Sequence, residues 1–297
     1  MIALRLLKDR FAHGAMLAVT LSVALILFLV AAGLFLKSWP ILSTQSILDL
    51  LFSSAWRPTR GEFGFLPFIL GTVWVTAVAI LIAVPLCLFS AIYFSEYASP
   101  FLREWSRPLV DVLAGIPSVV YGLWGVLAIV PLIKNHHAPF FGSYSTGYSV
   151  LAAGAVLAIM IFPVIIHVSL EVFRAVPAEV REASLALGAT RFQTVKFVVL
   201  RRALPGIVAA VVLGVSRAFG ETMAVLMVAG NVARVPHSVF DPGYPLPALI
   251  ANNYGEMLSI PLYDSALLFS ALLLFVTVVF FIVVSRIILK RVSARSE

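Results

Sequence analysis

The chain has 297 residues, of which 61% are hydrophobic and only 12% are charged. Soluble domains carry about 25% charged residues, so this composition excludes an ordinary soluble enzyme. The scarcity of charge also excludes a disordered chain. Cys87 is the only cysteine, which excludes an intrachain disulfide scaffold. The class that remains is an all-α polytopic membrane protein.

Six apolar stretches are each long enough to cross a bilayer, which takes about 20 helical residues. They cover 11–36, 63–95, 112–133, 148–170, 203–229 and 265–285. Pro117 and Pro163 predict kinks in the third and fourth stretches. The first stretch is too long for the apolar core of a signal peptide, which has about 7–15 residues. We therefore expect it to be an uncleaved membrane helix.

The positions of the 21 Lys and Arg residues predict the side of the membrane that each loop occupies. Fifteen lie in the N-terminal segment, the second and fourth loops and the C-terminal segment, five lie in the other loops, and Arg217 lies inside a predicted span. Because cytoplasmic loops carry an excess of Lys and Arg, both termini are predicted to be cytoplasmic. The net charge of +7 is then a consequence of topology and does not indicate nucleic-acid binding.

The predicted organisation has three parts. Residues 1–64 contain an N-terminal cytoplasmic tail, the first membrane helix and a loop on the opposite side of the membrane. Residues 65–288 form a five-helix membrane domain, and residues 289–297 form a cytoplasmic tail.

The fourth loop, residues 176–203, is too polar to span a membrane and too apolar for a solvated loop. Its pattern predicts a helix over 178–187 that ends at Gly188 in the left-handed conformation. Thr190 and Gln193 have the spacing of a capping box and predict the start of a second short helix. Such a knob either docks into a groove on a cytoplasmic partner or lies on anionic membrane lipid. The pattern alone favours neither.

The same loop resembles the EAA loop of ABC-importer permeases, in which three residues separate Glu-Ala-Ala from a glycine. Ser184 replaces the second alanine of that motif, and Arg201 stands where the family has proline. In that family the loop is the coupling helix that seats in the ATPase subunit. The resemblance therefore implies a set of ATPase-coupling residues, namely Glu182, Ala183, Ser184, Gly188 and Arg191.

Two further stretches narrow the resemblance to phosphate ABC-importer permeases. Residues 115–125 read GIPSVVYGLWG, and residues 217–225 read RAFGETMAV. The second stretch, followed by Gly230 and Asn231, is similar to the PstC type of permease more than to the PstA type. The resemblance covers residues 65–285 and implies a type I ABC importer permease fold with six transmembrane helices in the cell inner membrane.

The resemblance also implies partners. They are a PstA-type second permease, a PstB-type ATPase homodimer and a periplasmic PstS-type phosphate-binding protein, with membrane lipid around the bundle. ATP and magnesium belong on the ATPase. On this chain we expect no cofactor, no metal site and no catalytic residue.

Arg217 and Glu221 are the only charges well inside a predicted span. Their i, i+4 spacing predicts that they share one helix face, within reach of each other. A charge at mid-bilayer costs about 2.5–3.5 kcal/mol, so both side chains should face protein or water. We expect Arg217 to line the substrate path and to bind anion oxygens with its forked donors. Glu221 then holds the guanidinium or keeps anion binding weak. The alternative is a self-neutralising pair that only locks helix packing.

Ser118 and Tyr121 lie beside the break that Pro117 predicts in the third span. They offer hydroxyl and backbone donors to an anion where the helix is interrupted. The sequence supports equally well that Gly115, Pro117 and Gly122 only kink a tightly packed helix.

These observations predict a non-enzymatic permease subunit that moves phosphate by alternating access, powered through the 176–203 loop by a partner. The chain has no GxxxxGK[ST] loop with which to bind ATP. One arginine suits phosphate, sulfate, phosphonate or molybdate alike, and only the resemblance selects phosphate. An ion-coupled secondary transporter is the alternative class, although it would be expected to carry more buried carboxylates than Glu221. An intramembrane hydrolase is disfavoured because HExxH and GxSxG motifs are missing.

Overall fold

A computed structural model describes residues 2–256 and 259–293, without the side chains of residues 2–10, 107, 285 and 288–293. The side chains of Arg5, Lys8, Arg10 and Arg107, which contribute to the predicted orientation, therefore lie outside the described part. The same holds for Lys290 and Arg291 and for residues 294–297 of the predicted C-terminal tail.

The described chain is a bundle of helices with one small hairpin. The helices are α1 Ile2–Thr44, α2 Ile47–Phe52, α3 Leu66–Tyr97, α4 Pro100–Gly115, α5 Ser118–Phe140, α6 Val150–Arg174, α7 Ala178–Ala186, α8 Arg191–Gly220, α9 Met223–Val228, α10 Leu246–Asn253 and α11 Tyr263–Ser293. Four of their turns are π-helical, at Tyr93–Tyr97, Gly125–Ile129, Ile133–His137 and Thr194–Val199. The hairpin strands are β1 Trp56–Arg57 and β2 Glu62–Phe63, which are antiparallel.

Six of the described helices are long and apolar enough to cross a membrane, namely α1, α3, α5, α6, α8 and α11. This number confirms the six spans predicted from the sequence. The centre of the bundle is α6, which packs on α3 and α8 and whose buried face is rich in small residues. In contrast, the apolar residues 11–30 of α1 are exposed along their whole length.

Two of the predicted spans are divided by a break. The third is interrupted between α4 and α5, because Pro117 disfavours a helical conformation at Ile116, which is extended with φ −69° and ψ 127°. For the fifth, the sequence predicts one helix over 203–229. Instead α8 ends at Gly220, Glu221 is extended with ψ 124°, and α9 begins at Met223.

The second short helix predicted for the fourth loop does not stand alone. It begins at Arg191 as expected, but it continues without interruption through the fifth span as α8. No residue between Gln193 and Leu204 is a glycine or a proline that would end it. The loop is therefore joined rigidly to a membrane helix on one side.

The two ends of the bundle differ in chemistry. The end that holds the α3–α4 turn and the loop from α6 to α8 carries most of the described basic residues, and it is called the basic end here. The opposite end is capped by the hairpin, where the Trp56 ring contacts the rings of Phe63, Phe65 and Phe68 at centroid distances of 5.6, 5.4 and 4.9 Å. Tyr263 at the start of α11 closes the same aromatic cluster.

Candidate functional site

The two helix breaks lie beside each other near the middle of the bundle. The first turns of α5 pack against α9, so the chain after one break contacts the chain after the other. Ile159 borders the groove at the first break, and Leu157 lies beside Glu221 at the second. Both residues lie in the interior of α6, seven and nine residues after its start at Val150. The breaks therefore lie well inside the membrane-spanning part of the bundle.

Gly122 makes this close approach of α5 and α9 possible. A Cβ atom at this position would lie 2.6 Å from Met227 Sδ and 3.1 Å from the Ala224 Cα atom. The second distance involves backbone, which cannot rotate away as a side chain can. Gly122 is therefore required for packing, in agreement with the alternative interpretation of the 115–125 stretch.

Substitution of Gly122 by valine is expected to separate α5 from α9 and to lower stability by about 1–3 kcal/mol, the usual cost of overpacking. For a chain of this length that corresponds to a fall in Tm of about 2–4 °C per kcal/mol. Thermal unfolding of the purified protein in detergent measures the change. Gly115→Val is the matched control, because a Cβ at Gly115 meets nothing within 4 Å. Equal melting temperatures for the two variants would contradict the packing role.

Arg217 lies in the last turn of α8, on the exposed side of that helix. Leu213 and Gly220 lie on the same side and are exposed as well. Helix α9, which follows the break after Arg217, packs on α5, the helix that carries Tyr121. The 115–125 and 217–225 stretches therefore lie side by side, and the role of their residues in a substrate path stays a prediction.

The predicted pair between Arg217 and Glu221 is wrong in this structure. The described residues include no ion pair between them, because α8 ends at Gly220 and the two side chains do not share a helix face. Instead Glu221 Oε1 accepts a hydrogen bond of 3.3 Å from the amide of Ala224. A carboxylate at this position stabilises the start of α9, and the Arg217 guanidinium is not neutralised by it.

Ser118 and Tyr121 differ in what they offer to a ligand. The Tyr121 hydroxyl donates a 2.7 Å hydrogen bond to the carbonyl of Leu113 and bridges the first break. Its proton is therefore engaged, so its role is structural in this conformation. Ser118 is half-buried in the first turn of α5, where the leading backbone N–H groups of a helix are free of intrahelical partners.

A second site protrudes from the basic end. Residues 178–193, called the coupling knob below, comprise α7, the turn at Gly188 and the first turn of α8. Gly188 has φ +84°, and the amides of Gly188 and Ala189 donate to the carbonyls of Leu185 and Ser184. These are the two bonds of a Schellman motif. The capping box of Thr190 and Gln193 is complete. Both predictions for this turn are confirmed.

The tip of the coupling knob presents apolar and polar groups to the outside. Leu187 is 91% exposed, and Glu182, Ala183 and Gly188 are exposed around it. Ser184 instead faces inward, with its hydroxyl 3.0 Å from that of Thr194. This bond joins α7 to α8 and keeps the knob compact.

Arg191 is directed toward the membrane helices and away from the tip. Its guanidinium donates to the carbonyl of Glu96 and lies 5.1 Å from the centre of the Tyr97 ring. The resemblance placed Arg191 among the ATPase-coupling residues. In this geometry its guanidinium holds the knob against the end of α3.

Sequence reasoning missed Glu96, which it treated only as the end of the second span. Glu96 is buried in the last, π-helical turn of α3. It forms an ion pair with Arg181 of α7, at 2.9 Å between Oε1 and Nη2. No local pattern joins the two residues, which are far apart in sequence.

The bundle has six spanning helices, a break inside the membrane that carries an arginine, and a knob that protrudes from the basic end. These are the features of a membrane transport subunit. Residues 83–296 match the family described as binding-protein-dependent transport system inner membrane component. The chain belongs to this family, whose members are transport subunits and not enzymes.

Individual relatives agree with this assignment. The phosphate transport system permease protein PstC of Mesorhizobium japonicum is 36% identical over 304 residues, covering 98% of this chain and 92% of its own length. The probable ABC transporter permease protein YqgH of Bacillus subtilis is 41% identical over 244 residues, which are 82% of this chain and 76% of that protein. The Mesorhizobium relative confirms the resemblance to PstC-type permeases.

A solved structure confirms the fold. A chain of the bacterial alginate ABC transporter, crystallised with its pentasaccharide-bound periplasmic protein, superposes with a TM-score of 0.60. The match covers 93% of this chain and 94% of that chain at 15% identity. The match confirms the predicted ABC-importer permease fold. The family match and the six spanning helices indicate a multi-pass inner membrane protein.

Proposed function

We propose that this chain is the permease subunit of an ATP-driven importer that moves inorganic phosphate across the cytoplasmic membrane. The observation that carries the proposal is Arg217, an exposed guanidinium near mid-membrane that Glu221 does not neutralise. A charge at this depth costs about 2.5–3.5 kcal/mol unless protein, water or a counter-ion covers it. The name of the PstC relative selects phosphate among the anions that an arginine can bind.

Arg217 supplies the chemistry that a passing phosphate needs. Its guanidinium presents a planar fork of donors that matches two phosphate oxygens. The hydroxyl of Ser118 and the amides of Ser118 and Val119 lie at the adjacent break and add neutral donors. Glu221 contributes indirectly, because it fixes the start of α9 and thereby the shape of the break.

The exposed side of α8 also supports a second permease as partner. A helix face that carries Arg217 at mid-membrane cannot stably face lipid tails. We infer that a PstA-type permease covers this face and that the phosphate path runs between the two subunits. A periplasmic PstS-type phosphate-binding protein then delivers phosphate at the opposite end of the bundle.

Energy reaches the chain at the coupling knob. We infer that Leu187, Glu182, Ala183 and Gly188 dock on a PstB-type ATPase homodimer, which binds ATP and magnesium. Closure of that dimer on ATP pulls the knobs of the two permeases together and opens the outer side. Hydrolysis reverses the movement, as alternating access requires.

The orientation follows from this assignment. ATP is in the cytoplasm, so the basic end with its coupling knob faces the cytoplasm. Six spans place the two termini on the same side as each other, and the knob lies on that side too. Both termini are then cytoplasmic, in agreement with the distribution of Lys and Arg.

Competition measures which anion the importer carries. The complex of this chain with its second permease, ATPase and binding protein is reconstituted in liposomes, and ATP-driven uptake of labelled phosphate is recorded. Excess unlabelled phosphate is expected to suppress the signal, whereas equal concentrations of sulfate or molybdate leave it unchanged. Suppression by sulfate or molybdate in place of phosphate would assign the chain to another oxyanion.

A further inference from the structure

The contact between Glu96 and Arg181 ties the coupling knob to two membrane helices at once. Both oxygens of the Glu96 carboxylate accept from the guanidinium, at 2.9 Å from Nη2 and 3.2 Å from Nε. The same guanidinium donates to the carbonyls of Val176 and Phe173, at 2.5 and 2.7 Å. Phe173 lies in the last turn of α6, and Val176 follows two residues after its end at Arg174. One side chain of α7 thus fixes the ends of α3 and α6.

This contact is shielded from water. The side chain of Glu96 is 9% exposed and that of Arg181 is 23% exposed. Opposite charges attract more strongly in such surroundings than at a surface, and removal of one leaves the other buried without compensation. Arg191 adds a second attachment through the Glu96 carbonyl and the Tyr97 ring. The knob is therefore held to the end of α3 by two neighbouring arginine side chains.

Helix α3 leads from this contact to the mid-membrane site. Thr72 and Thr76, on its opposite half, border the same small cavity as Glu221. Because α3 runs as one helix from Leu66 to Tyr97, a displacement of its basic end reaches the wall of the α8–α9 break.

We propose that Glu96 and Arg181 form the joint through which movement of the ATPase reaches α3, and that Glu96 is a positioning residue for coupling. The proposal rests on the proposed function, since it takes the knob to be the ATPase docking element. It gives Glu96, which lies in α3 and outside the coupling knob, a role in coupling. Loss of the joint leaves the ATPase bound and active but disconnects hydrolysis from transport.

The test compares Glu96→Gln with Glu171→Gln in the complete complex in liposomes. Glu171 pairs with Arg174 at 3.2 Å near the same end of the bundle, but its side chain is 74% exposed, and such exposed pairs contribute little. ATP hydrolysis and labelled phosphate uptake are measured on the same vesicles. Glu96→Gln is expected to lower the phosphate carried per ATP by about tenfold, because a buried partner is lost, while the ATPase co-purifies normally. An unchanged ratio of phosphate carried to ATP hydrolysed in Glu96→Gln would overturn the proposal.

A second measurement does not depend on transport. Spin labels at exposed positions Glu179 of α7 and Leu86 of α3 report the distance between knob and membrane helix in the assembled complex. Arg181→Lys keeps the positive charge but loses the fork, and it is expected to broaden the distance distribution. A width equal to that of the unsubstituted complex would refute the proposal. If the Glu171→Gln complex takes up no phosphate either, the proposed function fails. The distances between the spin labels then decide alone whether Glu96 and Arg181 connect the knob to α3.

Discussion

Replacement of Arg217 by glutamine is expected to lower phosphate uptake by the assembled importer by about 100-fold or more. Two hydrogen bonds between a guanidinium and an anion contribute about 1.5–3 kcal/mol each, and each 1.4 kcal/mol corresponds to a factor of ten. Glutamine retains one amide donor but neither the charge nor the fork. Because Arg217 is exposed and makes no ion pair with Glu221, assembly of the complex is expected to survive.

Labelled phosphate uptake, together with the yield of intact complex, measures this effect. Arg234→Gln is the matched control, since Arg234 is also an exposed arginine but lies in the loop between α9 and α10. Arg217→Lys, which keeps the charge without the fork, is expected to be intermediate. Loss of assembly together with uptake would show that Arg217 is structural, and normal uptake would remove it from the substrate path.

Substitution of Gly188 by valine is expected to abolish co-purification of the ATPase while the membrane bundle remains folded. Gly188 has φ +84°, a conformation that β-branched residues adopt only under strain. Valine would therefore unwind the Schellman turn and change the direction of α7 relative to α8. A Cβ at this position meets nothing within 4 Å, so no packing in the bundle is disturbed.

The control for this variant is Gly142→Val. Gly142 has φ +66° and open space around its Cβ position as well, but it follows α5 at the opposite end of the bundle. The two variants carry comparable backbone strain, and only the Gly188 variant is expected to lose the ATPase. If both retain the ATPase, or both lose it, the assignment of the coupling knob is contradicted.

Structural features that depend on neighbouring residues could be predicted from the sequence alone. The left-handed Gly188 and the Thr190–Gln193 capping box depend on residues within one or two turns of each other, and both are present as expected. The six spans follow from apolar length alone. Short-range patterns were therefore enough to locate the knob, whereas the 115–125 and 217–225 stretches were located by their resemblance to a family.

Features set by packing between distant segments were not predictable in the same way. No proline follows Gly220 to mark the end of α8 in the sequence. The helix ends where α9 turns to pack on α5 beside Gly122. The predicted Arg217–Glu221 pair failed for this reason. The Glu96–Arg181 ion pair joins residues from different helices, and neither its spacing nor its composition marks it in the sequence.

The most direct test of the central claim is ATP-driven uptake of labelled phosphate by liposomes that contain this chain, with components omitted one at a time. Uptake is expected only when the second permease, the ATPase, the binding protein and ATP are all present, and it should disappear with Arg217→Gln. Accumulation of phosphate by this chain alone under an ion gradient would contradict the account and identify a secondary transporter.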